Sequence, residues 1–336
     1  MLSTQPSLPV AEQDAAADLS PSPLRELWGN VRSSPSGMTG LVVLVVLILL
    51  AIAAPLVAPY PPNTQVGAPF SPPSLHHLLG LDDGGYDVLS LLIYGLRVSL
   101  LVGFAATFIA SAVGTLIGVV AGYFGGLVDG ILMRITDYFL VVPLLPLMIV
   151  VADLWGSSLV HIIVVIGALS WTMTAIVIRA QARTLRERVF IRRAQALGAS
   201  DVRVITRHLL PQVMPLVVAN TVLNISYAIF TETALSFLGL GDPVQVSLGT
   251  MIEHAFLRAA ISAGAWWAVI PPGALVAIIV VACSLLGRTI EDSLNPRLRT
   301  AYLSVRTFRM RSAEQARARA GRASAKSGRG DVDASS

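Results

Sequence analysis

Imidazole and carboxylate side chains concentrate in one short segment of this 336-residue chain. Such groups are ligand types that suit divalent zinc or nickel. Their spacing, however, matches no fixed metal-ligand pattern. We therefore predict no metal site, although the segment contains His76, His77, Asp82, Asp83 and Asp87.

No other grouping of side chains predicts catalysis. The chain shows no Ser-His-Asp, zinc-protease or paired-carboxylate constellation. Residues 321–327 faintly resemble a phosphate-binding loop, but Ala325 stands directly before Lys326, where that pattern requires glycine. We therefore expect a protein that is not an enzyme and that binds no cofactor itself.

One apolar segment carries a stripe of polar residues, spaced so that they share one helix face. In a membrane such a stripe faces the bundle interior or a wet cavity. It could therefore line a translocation path, or supply hydrogen bonds between helices. Its members are Asn220, Asn224, Tyr227 and Thr231. Glu232 follows, and at about 1.5 Å per residue from Pro211 we expect it near the outer boundary, as a solvated or paired carboxylate.

Three glycines recur at every fourth position: Gly114, Gly118 and Gly122. On a helix they form a face without side chains, which lets another backbone approach closely. Two interpretations remain open at this stage. The face could contact a second membrane subunit, or it could pack against another helix of this chain.

The composition indicates a multi-span membrane protein with an all-α fold. Apolar residues make up 54% of the chain and charged residues only 13%, whereas a soluble domain carries roughly 25% charged residues. The net charge is +4, but the basic residues fall between apolar segments on alternate sides, which argues against a nucleic-acid partner.

Six transmembrane helices are predicted from the long uncharged runs, each able to cross a bilayer with about 20 residues. In the third, Arg134 and Asp137 lie three apart on one face and are expected to pair. The six spans lie at or within residues 38–55, 98–128, 129–151, 159–178, 213–238 and 259–287.

The distribution of arginine predicts the orientation of these spans. The loop between spans four and five is rich in arginine, as is the segment from Arg288 onward, whereas residues 60–96 contain no lysine or arginine. Because basic loops stay in the cytoplasm, we expect that loop and both termini there, in a multi-pass protein of the cell membrane.

The arginine-rich loop is predicted to form two helices joined at a glycine. The first runs from Arg183 to Leu197, and Gly198 can adopt the left-handed conformation that ends a helix. Ser200 and Asp201 suit the start of the second helix, where an oxygen and a negative charge are favoured. A polar helix pair held between two spans is typical of a docking site for a partner.

The run from Ala194 to Asp201, followed by the sequence His-Leu-Leu-Pro at 208–211, resembles the coupling loop of ATP-binding-cassette (ABC) importer permeases. In that family the loop docks into a groove of the ATPase subunit. The sequence departs from the family motif at Arg192 and Arg193. The resemblance implies that ATPase coupling involves Arg192, Ala194, Ala196, Leu197, Gly198, Ala199 and Asp201.

Further segments resemble the C-type permease of dipeptide, oligopeptide and nickel importers. They include residues 79–100, 121–126, 234–241 and 295–298. The resemblance implies a type I ABC importer permease fold and four kinds of partner: a second homologous permease, two ATPase subunits that bind ATP and magnesium, an external substrate-binding protein and the lipid bilayer.

The chain thus divides into three predicted regions. Residues 1–37 are expected to form a disordered cytoplasmic tail, residues 38–300 the permease domain with its coupling loop at 182–211, and residues 301–336 a basic disordered tail. Short peptides are the expected substrate. Nickel or another small solute is the alternative, and a secondary transporter is the competing class.

Overall fold

A computed structural model describes residues 23–294 of the chain. Both the segment 1–22 and the predicted basic tail at 301–336 lie outside the described residues. Within the described range the chain is almost entirely helical, and extended backbone pairs only at a bridge between Leu81 and Asp87. The predicted all-α fold is confirmed.

Short irregular segments separate most of the helices, and two π-helical turns and one 3₁₀ turn interrupt the later part of the chain. The helices are α1 (Pro23–Ser33), α2 (Pro35–Ile52), α3 (Ala54–Val57), α4 (Val88–Phe124), α5 (Gly126–Val141), α6 (Leu144–Trp155), α7 (Leu159–Leu169), α8 (Trp171–Arg186), α9 (Val189–Ala196), α10 (Asp201–Val204), α11 (Leu210–Leu235), α12 (Leu248–Leu257) and α13 (Ile270–Leu294). The π turns are Ile205–Leu209 and Ser236–Leu240, and the 3₁₀ turn is Trp266–Ala268.

Five helical segments in the described range are long and apolar enough to cross a membrane, and a bent pair makes a sixth if it counts as one span. The five are Pro35–Ile52, Val88–Phe124, Leu159–Arg186, Asp201–Leu240 and Trp266–Leu294. These segments match five of the predicted spans, although several extend beyond the predicted limits.

The bent pair corrects the third predicted span, which was expected to be continuous over 129–151. Helices α5 and α6 meet at an angle of 85°. Val142 ends α5 in an extended conformation with ψ of 127°, as expected for a residue before proline. Pro143 therefore divides this span into two helices.

Two predicted limits are also corrected near the start of the chain. Residues 23–33, expected to be disordered, form α1. The second span begins at Val88 rather than near residue 98, so that Arg97 lies inside the helix. The Asp87 carboxylate explains this start, because it accepts a hydrogen bond from the Ser90 N–H at 2.9 Å and caps α4.

The expected pair between Arg134 and Asp137 does not form, since no ion pair joins them in the described chain. An ion pair of this region instead connects two helices. The Arg179 guanidinium of α8 donates two hydrogen bonds to the Asp129 carboxylate of α5, one of them 2.6 Å long. This bidentate geometry is stronger than a contact between neighbours on one helix.

The glycine face of α4 packs against α8 of the same chain. A methyl group added at Gly118 would lie 2.6 Å from the Ala175 carbonyl oxygen, and one at Gly114 would lie 2.6 Å from the Trp171 carbonyl oxygen. Gly122 faces Ala182 in the same way. The second of the two interpretations is therefore the correct one, because backbone atoms of α8 already occupy this face.

Replacing Gly118 by alanine should destabilise the protein by about 1–3 kcal/mol, since the new methyl group would overlap backbone atoms of α8. The matched control is Gly130→Ala, where an added methyl group meets no atom within 4 Å and the helix gains up to about 1 kcal/mol of propensity. Thermal unfolding of both purified variants in detergent measures the difference. Equal midpoints would contradict the packing.

Candidate functional site

The arginine-rich segment, defined here as residues 188–209, leaves the end of α8 and returns to the start of α11. The predicted single helix over 183–197 is wrong, because α8 ends at Arg186 and α9 begins at Val189. Arg188 between them is extended, with ψ of 145°. The break turns α9 so that Ile191 becomes fully buried, and the gain from burying this side chain favours the turn.

Gly198 ends α9 in the left-handed conformation, as predicted, with φ of +80°. The Ala199 N–H donates to the Ala194 carbonyl at 3.1 Å, and the Gly198 N–H donates to the Gln195 carbonyl at 3.0 Å. These two bonds form the Schellman motif that closes a helix C-terminus. The direction in which the chain leaves α9 is thus set by backbone hydrogen bonds.

The second helix of the segment starts at Asp201, also as predicted, but Ser200 forms no side-chain cap. The Asp201 carboxylate instead accepts a hydrogen bond of 2.6 Å from the Tyr123 hydroxyl at the end of α4. The Gln195 amide of α9 donates to the same hydroxyl at 3.2 Å. One tyrosine therefore connects α9 and α10 to α4.

Tyr123 is the main residue that the sequence analysis missed. Its side chain is buried, with an exposed fraction of 3%. A signal was present, because Tyr123 lies two residues before the glycine pair Gly125–Gly126, but the sequence does not show which residues its hydroxyl would meet.

An apolar cluster packs the segment's inner face against α4 and α8. The π turn Ile205–Leu209 ends in Leu209, which is fully buried, as is Val204 just before the turn. The whole cluster comprises Val119, Tyr123, Ile178, Ala182, Leu185, Ile191, Val204, Leu209, Val213 and Val217. Residues from both sides of Gly198 belong to it, so the segment is held as part of the protein core.

The outer face of the segment exposes apolar side chains between arginines. Leu197 is 88% exposed and Val202 is 71% exposed. Arg192 forms an exposed ion pair with Glu187, which contributes little to stability. Val189 and Phe190 at the start of α9 are also exposed, at 63% and 40%, so the segment presents several apolar side chains that a partner could cover.

The residues predicted to couple to an ATPase divide between these two faces. Arg192, Ala196, Leu197 and Gly198 are exposed, whereas Ala194 and Ala199 are half-buried. Asp201 is exposed but hydrogen-bonded to Tyr123.

Comparison with known proteins identifies the family of the chain. Residues 114–300, more than half of the chain, match the family described as the inner membrane component of binding-protein-dependent transport systems. The chain belongs to this family. Residues 22–73 match the N-terminal transmembrane domain of oligopeptide transport permease C. The protein is thus a transport permease, not an enzyme.

Two relatives cover nearly the whole permease. The di/tripeptide transport system permease protein DppC of Pseudomonas aeruginosa is 33% identical over 289 residues, which is 84% of this chain and 94% of the relative. The dipeptide transport system permease protein DppC of Bacillus subtilis is 32% identical over 289 residues, which is 86% of this chain and 90% of the relative.

In this permease the asparagines of the polar stripe form hydrogen bonds between helices. The Thr174 hydroxyl of α8 donates to the Asn220 side-chain oxygen at 2.8 Å, and the Asn224 amide donates to the Thr174 hydroxyl at 2.9 Å. Thr231 is buried and bonds to its own helix at the Tyr227 carbonyl. Tyr227 is the exposed member, so a role of the stripe in lining a path remains a prediction.

Glu232 differs from its expected environment. It is 1% exposed rather than solvated, and its partners are hydroxyl groups rather than a cation. Ser99 donates to one carboxylate oxygen and Ser236 to the other, each at 2.9 Å. The Ser99 hydroxyl also accepts a hydrogen bond of 3.3 Å from the Leu248 N–H. Glu232 therefore joins α4, α11 and the start of α12.

The acidic and histidine residues of the segment 76–87 stabilise the loop before α4. The Asp82 carboxylate accepts hydrogen bonds from the N–H groups of Tyr86 and Gly84, and burial raises its pKa above the usual range. His77 Nδ1 lies 3.1 Å from an Asp87 carboxylate oxygen. No group of three potential metal ligands converges within residues 23–294.

Removing the Tyr123 hydroxyl should loosen the arginine-rich segment without unfolding the permease. In Tyr123→Phe, both Asp201 and Gln195 can turn to water, so we expect a loss of about 1–2 kcal/mol in local stability. Hydrogen–deuterium exchange in residues 189–209 should become about tenfold faster.

The matched control for this variant is Tyr138→Phe, because Tyr138 is 71% exposed and its hydroxyl forms no hydrogen bond in the described chain. Its exchange in residues 189–209 should equal that of the unmodified protein. Unchanged exchange in Tyr123→Phe would show that the hydroxyl does not hold the segment.

Proposed function

We propose that this permease is the membrane-spanning subunit of an ABC importer for short peptides. It would form the translocation path together with a second homologous permease. Two ATPase subunits and an external substrate-binding protein would complete the complex. The main observation in support is the rigid arginine-rich segment, which exposes Leu197 and Val202 on a surface anchored in the protein core.

The partner for this surface is an ATPase subunit that binds ATP and magnesium. Leu197 and Val202 would enter a groove of the ATPase, and the arginines around them would contact its polar rim. Protein interfaces commonly have such an apolar centre surrounded by polar and charged residues. ATP binding would close the two ATPases and move the segment with them.

Movement of the segment has a direct structural route into the membrane. The helical run from Asp201 to Leu240 is one candidate span, and Tyr123 connects its start to α4. A displacement at the segment would therefore act on two long helices together. Closure can drive such a change only if the ATPase contacts differ between the two states.

The arginine distribution supports placing the segment and both termini in the cytoplasm of a cell-membrane protein. The ATPases would then lie on the side where ATP is present.

The substrate assignment follows the two relatives that are named for transport of dipeptides or di/tripeptides. The names of these relatives favour peptides over the alternative of nickel or another small solute. Uptake of labelled dipeptides by a reconstituted complex tests this assignment, with ATP hydrolysis measured in parallel. ATP-dependent uptake that requires this chain is the expected result, and its absence would overturn the proposal.

Gly198 provides the sharpest test of coupling. A valine there would cost about 1–2 kcal/mol in the left-handed conformation, although a methyl group at this position meets no atom within 4 Å. The defect would therefore come from the backbone rather than from a clash. In Gly198→Val we expect fewer peptides transported per ATP hydrolysed.

The control is Gly198→Asn, because asparagine tolerates the left-handed conformation and projects into the same open space. It should keep most of the transport per ATP. If both variants lose transport equally, the backbone conformation at residue 198 is not what couples the two activities.

A further inference from the structure

A cavity of about 490 Å³ lies beside the first turns of α4. Its α4 wall includes Tyr94, Arg97 and Leu101, which share one helix face because they are separated by three or four residues. At about 1.5 Å per residue, Arg97 is about 40 Å from Tyr123 along α4. The cavity thus lies far from the arginine-rich segment.

The polar groups that line this cavity are suited to an anionic ligand. These groups are the guanidinium of Arg97, the phenol of Tyr94 and the side-chain amides of Asn63 and Gln245. The lining contains no carboxylate. All four groups can donate hydrogen bonds. A guanidinium offers two parallel N–H groups that match the two oxygens of a carboxylate.

Arg97 is exposed and forms no ion pair with any residue in the range 23–294. It is nevertheless part of a membrane-spanning helix. This helix has 37 residues, whereas about 20 cross a bilayer, so Arg97 in its third turn lies toward the helix end opposite Tyr123, where a solute can reach it. Residues 23–294 supply no anion for Arg97, so we look for its partner in a bound solute.

The helix face that carries Arg97 continues as an uncovered apolar surface. Phe104 is 37% exposed and Phe108 is 74% exposed, each within helical spacing of the residues before it. A solute that enters the cavity can therefore continue along α4 without crossing another part of the described chain.

A second cavity, of about 440 Å³, shares the loop residues 244–246 with the first. Its lining is acidic, with carboxylates from Asp82, Asp83, Asp242 and Glu253. Asp83 forms an ion pair with Arg258 at 3.5 Å, so the other carboxylates remain for a ligand. A short peptide has an ammonium group at one end and a carboxylate at the other. Two adjacent cavities of opposite charge are complementary to such a molecule, whereas a simple anion would need only the first.

The geometry points to Arg97 as the residue that binds the terminal carboxylate of the transported peptide. It would be a specificity-determining residue that selects peptides with a free C-terminus. This inference rests on the proposed peptide function. The ligand of Arg97 would be a carboxylate of the solute, not an acidic side chain of a partner protein or a lipid phosphate.

The test compares labelled alanyl-alanine with its C-terminal amide in proteoliposomes that contain the complete complex. In Arg97→Gln the KM for the free acid should rise about ten- to a hundredfold, as expected for loss of a hydrogen-bonded ion pair. The KM for the amide should stay within about twofold of its original value, since the amide lacks the charged partner. Arg97→Lys should give an intermediate KM for the acid.

The binding protein is identical in all variants, so its own preference cancels in the acid-to-amide ratio. Equilibrium dialysis of both peptides against the complex without that protein provides a second readout. The control variant is Arg134→Gln, which removes another exposed arginine that forms no ion pair in residues 23–294. In this control variant the ratio of the KM for the free acid to the KM for the amide should not change.

The outcomes separate this inference from the function on which it depends. Equal impairment of acid and amide in Arg97→Gln would assign Arg97 to a partner subunit or to lipid and overturn the inference. An unchanged ratio in that variant would overturn it as well. If the unmodified complex transports neither peptide, the proposed function fails, and the inference fails with it.

Discussion

Close backbone contact between α4 and α8 is the constraint on which the rest of the structure depends. Apolar side chains gain little by leaving lipid for a helix interface, so membrane helices associate through close packing and hydrogen bonds. The glycines of α4 permit that packing at Gly114, Gly118 and Gly122. The contact aligns the ends of both helices, and it is there that the arginine-rich segment begins.

The position of that segment follows from this alignment. Helix α8 leads into it, and the end of α4 supplies Tyr123, whose hydroxyl bonds to residues on both sides of Gly198. The buried cluster then holds the inner face. If the segment docks an ATPase as proposed, it must be rigid to transmit force, and the buried cluster, rather than the exposed ion pair of Arg192, holds it in place. The exposed residues are consequently free to serve a partner.

Polar groups inside the membrane region are used mainly to connect helices. Asn220 and Asn224 bond to Thr174, and Glu232 collects hydroxyl groups from α4 and from the turn after α11. Each of these hydrogen bonds pairs polar side-chain groups that would be costly to leave unpaired in lipid. Arg97 differs from all of them, because it has no partner in the described chain and faces a cavity. This difference distinguishes the proposed ligand site at Arg97 from polar residues that only connect helices.

The sequence by itself determined the all-α fold, five of the spans, the left-handed glycine at 198 and the family resemblance. These follow from local properties: hydropathy, arginine distribution and the conformational freedom of glycine. Only the tertiary structure decided that the glycine face packs within the chain, that Pro143 bends the third span by 85°, and that Glu232 is buried. The partners of Tyr123 and the isolation of Arg97 likewise emerged only there. Such features depend on which helices become neighbours, and helix periodicity specifies the faces of a helix but not the surface that each face meets.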